Sequence, residues 1–195
     1  MSKVRLGVMG GTFDPIHLGH ISAAQQVAKQ LGLDGVVFVP ASAPWQKTTH
    51  ASVLHRLEMT KLAISDYPNF SISTVDIDRP GPTYTVDTLR DLQSAHKDSE
   101  LFFITGADSL NTIQSWKDFD LLWSMAKFVG VNRPGHSLEV PKSPPGAIAL
   151  LDISALPISS TQIRAKVDAG ESLAGLVPDA VADYIRDNNL YQGNK

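Results

Sequence analysis

The chain contains no cysteine. This excludes disulfide scaffolding, zinc-thiolate sites and thiol nucleophiles, and makes an intracellular, cytoplasmic setting the expected one. It also lacks any apolar run near the roughly 20 residues that a membrane span requires, so no membrane partner is expected. Nor is there an excess of basic charge: 17 Lys and Arg against 20 Asp and Glu leave a formal net charge of −3. The cations are scattered, without the concentrated basic footprint that binds polymeric nucleic acid, so any nucleotide partner is expected to be a small molecule. The opening "MSKVRLGVMGG" runs into a strand pattern rather than an apolar signal stretch, which predicts no export segment.

What is present is an alternation. Short apolar runs at 4–10, 35–40, 70–75, 101–106, 126–132 and 147–152 read as strands buried on both faces. Between them, 18–31, 52–66, 85–95 and 108–125 carry apolar residues at three- and four-residue intervals, as amphipathic helices do. The pattern predicts an α/β fold, a parallel sheet covered by helices on both faces. At 195 residues the chain is expected to form a single domain, 1–195, with C-terminal helices over about 159–190 appended to the sheet. The segments 41–51 and 133–146, rich in Pro, Ser and Gly, are expected loops. Ligands of open parallel sheets sit beyond the carboxyl ends of strands, so the loops starting at Gly10, Pro40, Gly106 and Arg133 should share one face.

The first of these loops reads "GGTFDPIHLGHISAAQQVA", residues 10–28. Gly10 and Gly11 allow close backbone approach to a ligand, and the following helix offers amides and a positive dipole end to an anion. His17 and His20, three apart at a helix start, suit a polyphosphate. The same residues could equally make a tight turn with two surface histidines. A metal site fits less well: the spacing is not H-E-x-x-H, and Asp14 is the only nearby carboxylate, so no metal ligand is expected from protein side chains. The G-x-G-x-x-G order and the G-K-[ST] ending are both missing, which argues against a dehydrogenase or an ordinary P-loop NTPase. Further on, in "ISSTQIR", Ser159 or Ser160 can cap a helix and Arg164 falls one turn after Ser160. Amides, hydroxyls and a guanidinium could then meet on one phosphate.

Taken together, "GGTFDPIHLGH" and "ISSTQIR" resemble the signatures H-x-G-H and I-S-S-T-x-x-R of a nucleotidyltransferase superfamily. The resemblance implies a Rossmann-like three-layer α/β/α fold and transfer of a nucleotide from an NTP with release of pyrophosphate. Phosphopantetheine adenylyltransferases share these signatures on shorter chains. "GPTYTVDTL" (81–89), "FITGADSLNTIQSW" (103–116), "NRPG" (132–135) and "VADYIRDNNLY" (181–191) are closer to bacterial nicotinate mononucleotide adenylyltransferases, so the resemblance covers nearly the whole chain.

That resemblance implies adenylyl transfer from ATP to nicotinate mononucleotide, giving deamido-NAD in NAD biosynthesis, with Mg²⁺ accompanying ATP. It implies His17, His20 and Arg164 as catalytic phosphate donors, and Gly10, Gly11, Thr12, Phe13, Gly106, Asp108, Ser159 and Ser160 around ATP. Lys47, Tyr84, Thr85, Trp116 and Arg133 are implied on the acceptor side, Trp116 stacking on the pyridine ring. The chain departs from the family in its second loop, where a Pro-Pro-His-Lys-like stretch is replaced by "APWQK" (43–47): Lys47 is kept, and Trp45 and Gln46 are new. The rival readings are transfer to nicotinamide mononucleotide or phosphopantetheine, and a nucleotide-sensing module without catalysis. Residue types leave the choice of nicotinate over nicotinamide, and a homo-oligomer, open.

Overall fold

A computed structural model describes residues 3–44, 48–132 and 142–193. Strands β1 (Val4–Gly11), β2 (Gly35–Pro40), β3 (Phe70–Ile72), β4 (Ser99–Gly106), β5 (Lys127–Asn132) and β6 (Ile148–Asp152) form one sheet in the order β3-β2-β1-β4-β5-β6. Every pairing is parallel. The chain runs outward from β1 to β3, returns to place β4 beside β1, and then runs outward the other way. This is the doubly wound, Rossmann-like α/β topology, and its switch point lies between β1 and β4.

The period of two in each strand sorts side chains into two cores. Val36 and Phe38 of β2 face one and Val37 and Val39 the other; Phe102 and Ile104 of β4 oppose Leu101 and Phe103 in the same way. The first core is closed by α1 (Leu18–Leu31), α2 (Val53–Ile64), α7 (Ser160–Asp168) and α8 (Asp179–Asp187), through Ile21, Val27, Met59, Ile163 and Val181. The second is closed by α4 (Thr85–Ala95), α5 (Ala107–Leu110) and α6 (Phe119–Met125), through Val86, Leu89, Leu92, Leu110 and Leu122. Helix ends follow local chemistry. The Ser52 hydroxyl accepts the His55 amide at 3.3 Å to start α2, and Gly32, at φ 58°, ends α1 in the left-handed region.

Two elements differ from expectation. The predicted helix over 108–125 is instead α5, a 3-10 turn at Ile113–Ser115 and α6. Its apolar residues Leu110, Ile113, Trp116, Phe119 and Leu122 are spaced strictly by three, which drifts off one face of an α-helix of about 3.6 residues per turn. The chain keeps them inward by extending at Trp116 (φ −77°, ψ 148°) and turning through Asp118 at φ 51°. The strand read at 70–75 stops at Ile72, and a short helix, α3 (Val75–Asp78), follows it.

The carboxyl ends of the strands are level, Gly11 opposite Pro40 and Gly106 opposite Val131, so the loops after Gly11, Pro40 and Gly106 open on one face as expected. Arg133 lies outside the described residues. The C-terminal helices do more than rest on the sheet: Ile163, Val181 and Ile185 are buried with the side chains of α1 and α2. Truncating Ile185, 2% exposed, to alanine is therefore expected to lower the unfolding free energy by about 2–5 kcal/mol in a urea titration. A change under about 0.5 kcal/mol, the surface range, would show that α8 lies outside the core.

Candidate active site

At the switch point the β1 strand end separates two cavities. The larger, about 310 Å³, is lined on one side by Gly10 to Phe13, His17, Gly19 and His20, and on the other by Gly106, Asp108 and Ser109. Ile153, Leu156 and Ile158 give it an apolar wall. The smaller, about 170 Å³, is lined by Gly10, Gly11 and Thr12 again, with Asp76, Thr83, Thr85, Thr88, Phe103 and Trp116. Gly10, Gly11, Thr12, Thr105 and Ser109 belong to both walls, so whatever fills the two cavities meets at the end of β1.

The glycines here are set by packing. A methyl group on Gly11 would stand 2.6 Å from the Phe13 ring, and one on Gly19 would stand 2.9 Å from His17 Nδ1. Gly19 is thus what lets the His17 ring lie against the first turn of α1. His17, 4% exposed, is the N-cap residue of that helix, and its ring stacks on His20 at 3.7 Å between centroids. The His17 amide donates to His20 Nδ1 at 3.2 Å. Nδ1 is therefore the accepting atom, and the proton of a neutral His20 ring sits on Nε2. Phe13, at φ 49°, braces His20 edge-on at 5.2 Å. A non-glycine residue held in the left-handed region and buried is strain concentrated at the site.

This loop is held by residues from four distant segments. The Asp14 carboxylate accepts the His50 amide at 2.6 Å, the Ala51 amide at 3.1 Å and the Tyr191 hydroxyl at 2.8 Å. Asp14 therefore organises the loops, and both its oxygens are already engaged. Arg56, 1% exposed, donates to the carbonyls of Thr12 (2.6 Å), Ala41 (2.7 Å) and Ser42 (3.0 Å), tying the first loop to the second. Burial lowers the Arg56 pKa, and the nearby Asp14 charge only partly offsets that. The Ser160 hydroxyl donates to the Pro15 carbonyl at 2.8 Å, and Arg164 donates to the Asp14 carbonyl at 2.7 Å and to Thr161 Oγ1 at 3.3 Å.

Of the residues expected at the site, Gly10, Gly11, Thr12, Phe13, His17, His20, Gly106, Asp108 and Ser160 line the larger cavity. Thr85 and Trp116 line the smaller. Ser159 is the cap of α7, accepting the Gln162 amide at 3.2 Å. Arg164 lies beneath the Asp14–Pro15 turn rather than in the larger cavity's wall, and Tyr84 is the N-cap residue of α4, its ring under Lys117 Nζ at 4.8 Å. Lys47, Trp45, Gln46 and Arg133 lie outside the described residues. Little in the residue pattern points to Arg56, Tyr191, Asp76 or the apolar wall at 153–158, whose one signal is an apolar run directly preceding "ISST". Among the described residues, no three His, Asp or Glu side chains are grouped to hold a metal ion.

The topology is doubly wound, and a glycine turn followed by two histidines lies at its switch point. Residues 8–166 match the cytidylyltransferase-like family model. The chain belongs to that family, and within it to the nicotinate-nucleotide adenylyltransferases. It is 51% identical over 98% of its length to a protein of Leifsonia xyli named "Probable nicotinate-nucleotide adenylyltransferase", covering 96% of that protein. A Streptomyces coelicolor protein of the same name is 53% identical over 95% of this chain and 100% of its own. The fold is shared with Plasmodium falciparum nicotinic acid mononucleotide adenylyltransferase complexed with NaAD, at a TM-score of 0.77 and 22% identity, over 96% of this chain and 97% of that one.

The Tyr191 contact carries a pH signature. Burial first, and then the Asp14 charge, push the Tyr191 phenol far above its ordinary value. A raised folded-state pKa gives stability that is complete below the unfolded value of about 10 and is lost as pH rises beyond it. Tyr191→Phe is expected to cost about 1–2 kcal/mol at pH 8 in urea unfolding. The deficit should shrink above pH 10, where only the wild type pays to keep the phenol protonated. A deficit that grows there would contradict the contact.

Proposed function

We propose that this protein transfers the adenylyl group of ATP to nicotinate mononucleotide, producing deamido-NAD and pyrophosphate, a step of NAD biosynthesis. The observation that carries the reading is the pair of cavities sharing the β1 end: two nucleotides bound there would meet at Gly10 to Thr12. ATP suits the larger cavity. Its adenine would face Ile153, Leu156 and Ile158, the Asp108 carboxylate suits ribose hydroxyls, and its phosphates would lie along the amides of the glycine turn and α1. The acceptor suits the smaller cavity, its ring on Trp116 and its carboxylate toward the N-terminal amides of α4 at Thr85.

The chemistry asks little of a base. A phosphomonoester has a second pKa near 6, so the acceptor is mostly a dianion at neutral pH and attacks the α-phosphorus directly. The enzyme's work is to bring two anions into line and to meet charge building on the bridging and pyrophosphate oxygens with donors already in place. His20 would donate through Nε2, with its Nδ1 fixed by the His17 amide. His17 is stacked against it, and Ser160 reaches the same cavity. Arg164 has one nitrogen on the Asp14 carbonyl and one on Thr161. The remainder of its five donors would serve the phosphates from below the loop. Mg²⁺, which prefers phosphate oxygens and water to a protein cage, would enter on ATP and neutralise the leaving pyrophosphate. The engaged Asp14 carboxylate fits that arrangement. We place the reaction in the cytoplasm, in keeping with a chain that has no cysteine and, among its described residues, no helix long and apolar enough to cross a membrane.

The test is pyrophosphate release by purified protein with Mg-ATP and, in turn, nicotinate mononucleotide, nicotinamide mononucleotide and phosphopantetheine. Release with the first is expected; release with phosphopantetheine alone, or ATP binding with no release, would overturn the reading. His17→Ala should slow turnover by roughly 100- to 1,000-fold, as loss of one transition-state donor does. An unchanged turnover in a folded variant would remove His17 from the mechanism.

A further inference from the structure

The smaller cavity contains a charge that anion binding does not explain. Asp76 is 3% exposed and part of the cavity wall. One of its oxygens, Oδ1, takes both available donors, the Thr88 hydroxyl at 2.7 Å and Arg79 at 2.6 Å. Oδ2 takes no hydrogen bond from any described residue. Arg79 does not cancel the charge, because the same guanidinium also pairs with Asp91, so the Asp76, Arg79 and Asp91 group carries a net −1. A carboxylate this buried is costly unless something facing it compensates.

A purely anionic ligand would be repelled here, yet the acceptor is not purely anionic. A pyridine ring joined to ribose through its nitrogen is a pyridinium, with a fixed positive charge in the ring. Trp116 and Asp76 line the same cavity, so a ring stacked on Trp116 would lie in the space that Asp76 borders. Trp116 itself favours a cation over its face. We propose that Asp76 is a specificity-determining residue that selects pyridinium mononucleotides by supplying the counter-charge to the ring, an inference that rests on the assignment of this cavity to the acceptor.

The cavity then holds two opposite electrostatic poles. The N-terminal end of α4 at Thr85 takes the ring's anionic substituent, while Asp76, reached through Thr88 one turn further along the same helix, takes the cationic ring. Burial raises the Asp76 pKa against the hydrogen bonds from Thr88 and Arg79, and a cation filling the space would add to that opposition by favouring the charged form. An acceptor without a ring cation would leave the net charge of the Asp76, Arg79 and Asp91 group with no counter-charge in the cavity. Nicotinate and nicotinamide rings share the pyridinium, so Asp76 distinguishes both from other acceptors rather than from each other.

The test compares nicotinate mononucleotide with its 1,4-dihydro form, which has a ring of the same size and no ring charge. Wild-type enzyme should show a lower KM for the oxidised than for the reduced acceptor. Asp76→Asn should raise the KM for the oxidised acceptor about 10-fold and bring the two values together, with the KM for ATP unchanged. Asp76→Glu, which keeps a carboxylate on the cavity wall, should keep the preference. A merely structural disturbance would move both variants the same way. A wild type indifferent to ring charge, an Asp76→Asn variant that keeps the wild-type ratio, or loss of the ratio in both variants would overturn the proposal. Failure of wild-type enzyme to use nicotinate mononucleotide at all would instead overturn the assignment of the reaction.

Discussion

A guanidinium with almost no access to water, bonded only to backbone carbonyls, is the constraint on which the site depends. Arg56 joins the carbonyls of Thr12, Ala41 and Ser42, which belong to the loops after β1 and β2. These carbonyls have no strand partner at that point, and a planar donor fork can satisfy several at once. The arginine's charge is balanced at short range by Asp14, which spends its own oxygens on the His50 and Ala51 amides and on Tyr191. Loss of any member would leave a buried charge or dipole uncompensated, which is why loops, rather than helices or strands, can hold the histidines in a fixed arrangement.

The division of labour around β1 follows from its place at the switch point. On one side lie the α1 amides, His17, His20 and the Ser160 hydroxyl, which donates to the Pro15 carbonyl. On the other lie a stacking ring, a helix start and a buried carboxylate. The first set is suited to a polyphosphate, the second to a zwitterionic ring. The strand between them ends in two glycines, the second of which is required by the Phe13 ring lying over it. Under the proposed assignment each substrate would approach its own helix start, and only the reacting atoms would share space.

Much of this was legible in the sequence because it is local. The strands of period two, the helices at 18–31 and 85–95, the glycine turn and both histidines lie within short windows whose residue types fix their conformation. Thr85 and Trp116 were carried by their neighbouring motifs. Long-range pairings were not legible. Arg56 reaches a carbonyl 44 residues away, and Tyr191 reaches a carboxylate 177 residues away, and neither leaves a periodic or spacing signal. Asp76 sits in an ordinary-looking "VDIDR", and only the sheet topology brings it to a cavity with Trp116. The helix expected at 108–125 is broken for the opposite reason. A three-residue spacing resembles an α-helix in any one window and fails only when followed over the four intervals from Leu110 to Leu122.

The tie between Tyr191 and Asp14 also sets an order of events. Tyr191 is added to the growing chain 177 positions after Asp14. Until that tyrosine emerges, the sheet can assemble and the histidines can take their places on α1, but the turn carrying Asp14 has an unmatched acceptor. A chain interrupted before residue 191 would therefore fold around a turn whose buried carboxylate lacks its phenol donor.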